Sequence, residues 1–184
     1  MSVTWRRSGA RARSEVTHLA SVVLRVVITA AALGWAALIA LVPAWEARAA
    51  ERGPSFQRRA AVVLRILGAQ VCHQRPERSF HLHGRPLAVC GRCTGLYLSG
   101  ALGLLAAAAR WRRPGPAARP ATPAWWPARL DARAGWLALA ALPTAVTWGL
   151  EVAGVWDPGT SLRAVAALPF GMAAGWLMGR ALQR

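Results

Sequence analysis

Residues 26 to 45 read VVITAAALGWAALIALVPAW, an unbroken run without a single charge. At about 1.5 Å per residue, a helix of roughly 20 residues crosses about 30 Å, the hydrocarbon thickness of a bilayer. Three further windows are nearly as apolar: Thr94 to Ala109, Gly135 to Trp156 and Val165 to Leu182. Helices buried in soluble domains seldom stay apolar on every side. The whole chain of 184 residues is 55% hydrophobic and only 16% charged, too apolar for an ordinary soluble domain of that length. The expected fold is all-α, an integral membrane bundle of about four transmembrane helices, with spans near 26–45, 92–109, 135–156 and 163–182. One transmembrane domain then covers residues 18–184. A very hydrophobic soluble helical domain is the alternative that the composition disfavours.

The formal net charge of +16 rests on arginine, since the chain contains no lysine. Such a balance often marks a nucleic-acid binder, but here the arginines flank apolar segments and no recognition helix or basic-aromatic motif accompanies them. Nucleic acid is therefore excluded as a partner, and the lipid bilayer with its anionic headgroups supplies the counter-charge. Residues 1–17, with Arg6, Arg7, Arg11 and Arg13, read as a loosely ordered basic arm on the cytoplasmic side. Ala47-Arg48-Ala49 imitates a signal-peptidase site, but the preceding apolar run exceeds the 7 to 15 residues or so of a signal core, which favours a retained helix. The Arg6-Arg7 pair lies too far from that run for a twin-arginine signal.

Between the first two spans lies a 46–93 loop. Its first part, Phe56 to Val71, puts Ala61, Leu64, Leu67 and Val71 on one helical face and adds Arg58, Arg59 and Arg65, the pattern of a helix lying at the headgroup boundary. A short soluble helix covering the rest of the loop is the competing reading. Gly95, Ser99, Gly103 and Ala107 recur every fourth residue in the second span, and Gly171, Gly175 and Gly179 do so in the last. Small residues at this spacing let helices approach closely in lipid, so both faces read as packing seams. Arg110, Arg112 and Arg113 stop the second span, and the Pro-rich segment 114–127 reads as a flexible linker. Counting arginines in the short connectors places both termini in the cytoplasm of a prokaryotic cell whose inner membrane holds the protein. Trp45, Trp111, Trp136 and Trp156, at span ends, read as an interfacial belt.

All three cysteines and three of the four histidines fall between Cys72 and Cys93: Cys72-His73, His81, His83 and Cys90-Gly91-Arg92-Cys93. Zinc or another soft divalent metal prefers thiolate and imidazole, commonly four ligands in a tetrahedron. Cys72, Cys90 and Cys93 supply three ligands, and His73, or else His81 or His83, the fourth. The C-x2-C pair at a helix start also fits a membrane thiol-disulfide oxidoreductase using Cys90 and Cys93, because the helix dipole favours a thiolate there. No thioredoxin-like strand-helix pattern surrounds it. A structural disulfide is the third use. Arg75, Arg78, Arg85 and Arg92 surround the cluster and could hold a phosphate or carboxylate in two-pronged fashion, which suits an anionic-lipid-handling enzyme or transporter. Glu151 is the one acid inside an apolar span, and Arg163, across the following turn, is its expected partner.

The string Cys72-His73-Gln74, Arg78-Ser79-Phe80, Gly84, Pro86, Cys90-Gly91-Arg92-Cys93-Thr94-Gly95 and Tyr97 resembles the signature of the domain of unknown function 2085 family, small membrane proteins of prokaryotes. The resemblance implies that the Cys-His-Gln and Cys-x-Arg-Cys elements form one site, with Gln74, Arg78, Ser79 and Tyr97 in its neighbourhood. It brings no established activity. It extends more loosely through Pro143, Trp148-Gly149, Ser161 and Arg163. Family members carry an acidic residue near the position of Thr147, which this chain lacks, and Glu151 one helical turn later is the substitute the sequence offers.

Overall fold

The computed structural model describes the backbone of residues 3–53, 56–111 and 128–182. The Pro-rich linker 114–127, Arg112 and Arg113 lie outside the described residues, as do the side chains of the N-terminal arm, of Arg110 and of Trp111. Five α-helices follow one another: α1 (Val3–Arg52), α2 (Phe56–Ala69), α3 (Gly91–Trp111), α4 (Ala128–Val152) and α5 (Gly159–Ala181). Four of them contain a stretch long and apolar enough to cross a bilayer, Leu19–Glu51, Gly91–Ala109, Ala134–Val152 and Gly159–Ala181. The protein is an all-α membrane bundle.

Three boundaries differ from the sequence reading. The first helix begins at Val3, where a loose arm is expected. Alanine and arginine are strong helix formers, so a helix nucleated by the apolar run propagates backwards through the basic segment at little cost. The third span stops at Val152 and leaves Trp156 in the turn beyond it. Gly154, at φ 68°, takes the left-handed conformation, and the Val155 N–H reaches back to the Leu150 carbonyl at 3.1 Å, which closes the helix in a Schellman turn. The last helix opens at Gly159, four residues ahead of the expected 163. The Asp157 carboxylate accepts the Gly159 N–H at 2.9 Å and so satisfies one of its orphan donors.

The closest pairing in the fold is α3 against α5, and it runs along the two small-residue seams. A Cβ at Gly95 would collide with the Ala164 backbone, one at Gly103 with Met172 and Trp176, and one at Gly175 with the Gly100 backbone. Gly171 meets Ser99 and Leu96 in the same way, and Gly179 meets Ala107. Ser99 turns its hydroxyl back onto the Gly95 carbonyl at 2.7 Å, so no polar group is stranded in the seam. On the other side of α5, the Thr144 hydroxyl of α4 donates to the Ala166 carbonyl at 2.7 Å. The rest of α4 turns large apolar side chains such as Trp136, Leu139 and Val146 outward, as a lipid-facing helix would.

Helix α1 leans on α3 and carries the loop. Val42, Ala61 and Ala88 form one buried cluster, with Trp45 and Leu64 packed against it. Glu46 of α1 takes both prongs of the Arg65 guanidinium, at 2.5 and 2.8 Å, and Arg65 also donates to the Pro86 carbonyl. Helix α2 is thereby fastened to α1 by its polar side. Leu67 and Val71 of the expected apolar face remain exposed with Val62, Val63 and Ile66, a strip suited to the headgroup boundary. Far from the loop, at the opposite end of the bundle, Arg25 of α1 donates from Nε to the Leu182 carbonyl just past α5, at 2.5 Å.

Candidate functional site

The chain between α2 and α3 is folded back by a few local devices. Gln74 has a positive φ of 49°, and its side-chain amide donates to the carbonyls of Arg65 and Ala88, both at 2.7 Å. One residue thus ties the end of α2 to the segment entering α3. Gly68 is part of this fit, since a Cβ there would strike the Gln74 amide and the Ala88 carbonyl. A 3-10 turn at Pro76–Arg78 follows, with the Ser79 hydroxyl donating to the Arg75 carbonyl at 2.9 Å. Two short strands, β1 (His81–Leu82) and β2 (Arg85–Pro86), then pair antiparallel across His83 and Gly84. Both of these residues have positive φ, the geometry of a two-residue type I′ hairpin.

This folding brings Cys72 to the start of α3. The ligand atoms of Cys72, Cys90 and Cys93 all lie within 4.8 Å of one another, although the first is separated from the others by the whole hairpin. The three are free thiols. Cys72 is buried and its sulfur accepts the backbone N–H of Cys90 at 3.1 Å and that of Gln74 at 3.5 Å. Donation from the Cys90 and Cys93 thiols, opposed by burial and reinforced by these two N–H groups, draws the Cys72 thiol far below the ordinary thiol range. Ile39, Val89, Trp35 and Tyr97 pack around the sulfurs, with Trp35 and Tyr97 edge to face at 6.0 Å. Four-coordinate zinc with Zn–S bonds of about 2.3 Å sets sulfur atoms about 3.8 Å apart, so the triad is close to the spacing that a shared ion requires.

The histidines are placed otherwise than expected. Among the described residues no imidazole joins the sulfur cluster. His73, adjacent to Cys72, is exposed and lines the same cavity without joining the sulfur group. His81 and His83 are carried off on the exposed hairpin. Arg85 goes with them and borders a separate recess beside Glu46 and Arg58. Arg75, Arg78 and Arg92 do converge on the cysteines, and Arg163 joins them in place of Arg85.

These groups wall a cavity of about 440 Å³ at one end of the bundle, between the start of α3, the end of α4, the start of α5 and the loop. Glu151 is its hub. The Glu151 carboxylate takes Arg78 Nη1 at 2.5 Å, Arg163 Nε at 3.2 Å and Arg92 Nη2 at 3.3 Å. Arg163, 3% exposed at its side chain, also reaches Asp157 at 2.8 Å. The Asp157 carboxyl sits below the usual carboxylate range because the Gly159 N–H, and then Arg163, favour its charged form. The expected partnership of Glu151 with Arg163 is present, and the arrival of Arg78 and Arg92 at the same carboxylate is the element that sequence reasoning missed. Thr147, one turn before Glu151, is buried and bonds its own helix at the Pro143 carbonyl, so it places no charge in the span.

Residues 72–177 match the model of a family described as a predicted membrane protein, domain of unknown function 2085. The chain belongs to that family. The matched stretch takes in the cysteine triad, Glu151 and Arg163, whereas α1 and α2 precede it. The chain is also similar to parts of two curated proteins. An uncharacterised protein of Methanocaldococcus jannaschii is 35% identical over 51 residues, 28% of this chain and 33% of the relative. An uncharacterised protein of Methanothermobacter thermautotrophicus is 54% identical over 28 residues, 15% of this chain and 25% of the relative. The chain thus matches a third or less of the length of these curated relatives. No solved structure matches it.

Proposed function

We propose that this domain of unknown function 2085 protein is a membrane metalloprotein in which Cys72, Cys90 and Cys93 bind one soft divalent ion, zinc or a close analogue. The observation that carries this reading is the approach of three sulfurs to within 4.8 Å of one another across a gap that the chain spans with a hairpin. Backbone N–H groups aimed at the Cys72 sulfur support it further, since they favour a thiolate without occupying its remaining lone pairs. The fourth ligand comes from the cavity side, as the His73 imidazole after a rotation of its side chain or as a solvent molecule. The ion's work is structural: it pins the loop to the first turn of α3 and so completes the cavity wall.

Metal analysis of the purified full-length protein tests this. About one equivalent of zinc, lost in Cys90→Ser and in Cys72→Ser, is the expected result. Metal-free protein with a reversible Cys90–Cys93 disulfide would overturn it in favour of a thiol-disulfide oxidoreductase, the reading that the placement of this pair at the head of α3 would then support.

A further inference from the structure

The cavity beside the sulfurs carries more guanidinium than its own acids neutralise. Arg75, Arg78, Arg92 and Arg163 stand against two carboxylates, Glu151 and Asp157, the latter engaging Arg163 from outside. The count is four guanidiniums to two carboxylates. Nor are the donors used up. Arg92 lines the cavity, and its Nε is buried with no hydrogen-bond partner in the protein, a donor that native structures satisfy with a water, an ion or a ligand. Arg75 is exposed and engages no acid among the described residues.

We propose that this cavity is a binding site for a phosphate monoester, gripped by Arg78 and Arg92 with Arg75 at the entrance, while Glu151 and Arg163 hold the forks in position. Guanidinium matches the phosphate geometry in two-pronged fashion, and the unpartnered Arg92 Nε–H gives such a ligand a donor that Glu151 leaves unused. At about 440 Å³ the space exceeds a phosphate group alone. Trp148 and Val152, half or more exposed on α4, form its apolar rim, against which the organic part of the ligand would lie. The phosphate can belong to a lipid entering from the bilayer boundary or to a water-soluble ester.

Native mass spectrometry of the full-length protein in neutral phosphatidylcholine nanodiscs distinguishes these sources. The probes are phosphatidic acid, phosphatidylglycerol with the same acyl chains, and glycerol phosphate. Retention of phosphatidic acid over the diester phosphatidylglycerol is expected for a lipid ligand, and retention of glycerol phosphate for a soluble one. Arg92→Gln and Arg78→Gln should each weaken that retention about tenfold, the size expected for one charged hydrogen bond. Arg48→Gln, an exposed arginine at the end of α1, should leave it unchanged. Equal retention of monoester and diester, no retention of either monoester, or equal losses in all three variants would overturn the proposal. Retention is read independently of metal content, so a failed metal analysis leaves this test standing.

Discussion

Helices α3 and α5 meet in two ways along one interface. Through the bilayer interior they touch by omission, glycine and alanine against backbone, with no room for a Cβ at Gly95, Gly103 or Gly175. At the boundary the same pair stays close, Gly91 against Thr160, but also presents Arg92 and Arg163 to the Glu151 carboxylate of α4, joined by salt bridges at 3.3 and 3.2 Å. The difference follows from the solvent. Lipid gives apolar side chains no reason to prefer a neighbouring helix, so the interior is held by close backbone contact. Near the boundary a charge is affordable only when paired, so the polar groups there must form a connected set. The seam is intolerant of added volume, and the mouth is intolerant of losing its shared carboxylate.

The largest effect should come from filling the seam. Gly95→Leu pushes a branched side chain into the Ala164 backbone, which cannot yield as a flexible side chain would. It is expected to cost about 3 kcal/mol or more, at the upper end for overpacking, and to lower the melting midpoint of the detergent-purified protein. Gly149→Leu in α4, where nothing lies within 4 Å of an added Cβ, should stay within about 0.5 kcal/mol. Similar losses for the two substitutions would break the contrast.

Next in size is the hub of the mouth. Glu151→Gln leaves three guanidiniums facing one another without their shared acceptor and should cost about 3 kcal/mol, the scale for breaking a buried ion pair from one side. Pairing it with Arg163→Gln removes a charge of each sign. The double variant is expected to lose less than the sum of the single losses, and strict additivity in the same melting assay would show that the groups do not act together.

The smallest effect belongs to the rim. The Asp157 carboxyl is depressed in the folded protein, so its contribution is present above the unfolded carboxyl pKa, about 3.9, and is lost as pH falls through the lower folded value. Asp157→Asn should therefore lower the melting temperature slightly at neutral pH and converge with the parent protein as pH falls below about 4, which flattens the acid limb of the profile. An unaltered acid limb would place Asp157 outside the network.

What could be read from the sequence follows the same division. The seams were legible because their spacing is a property of one helix at a time, and each glycine run predicts its own flat face. The Glu151 and Arg163 pair was legible because a short turn joins the two helices. Arg78 and Arg92 were not, since their arrival at Glu151 depends on the path of the loop, set by the positive φ of Gln74 and its amide bonds to Arg65 and Ala88. The choice of imidazole was open for a related reason. His73 came first, with His81 and His83 as alternatives, and their places depend on the same loop path, which holds His81 and His83 at exposed positions on the type I′ hairpin. The extra turns of α1 before residue 18 were hidden by the habit of reading arginine-rich segments as unstructured, although their helix propensity is high.

The bond from Arg25 to the Leu182 carbonyl joins residues 157 positions apart in the sequence, near the two extremes of the described chain. During synthesis the first helix enters the bilayer long before its acceptor has been made. Until then the guanidinium must be satisfied by snorkelling toward water or lipid phosphate, and the clasp can close only once α5 has been made. The bond is therefore a latch on the first helix that waits for the fifth.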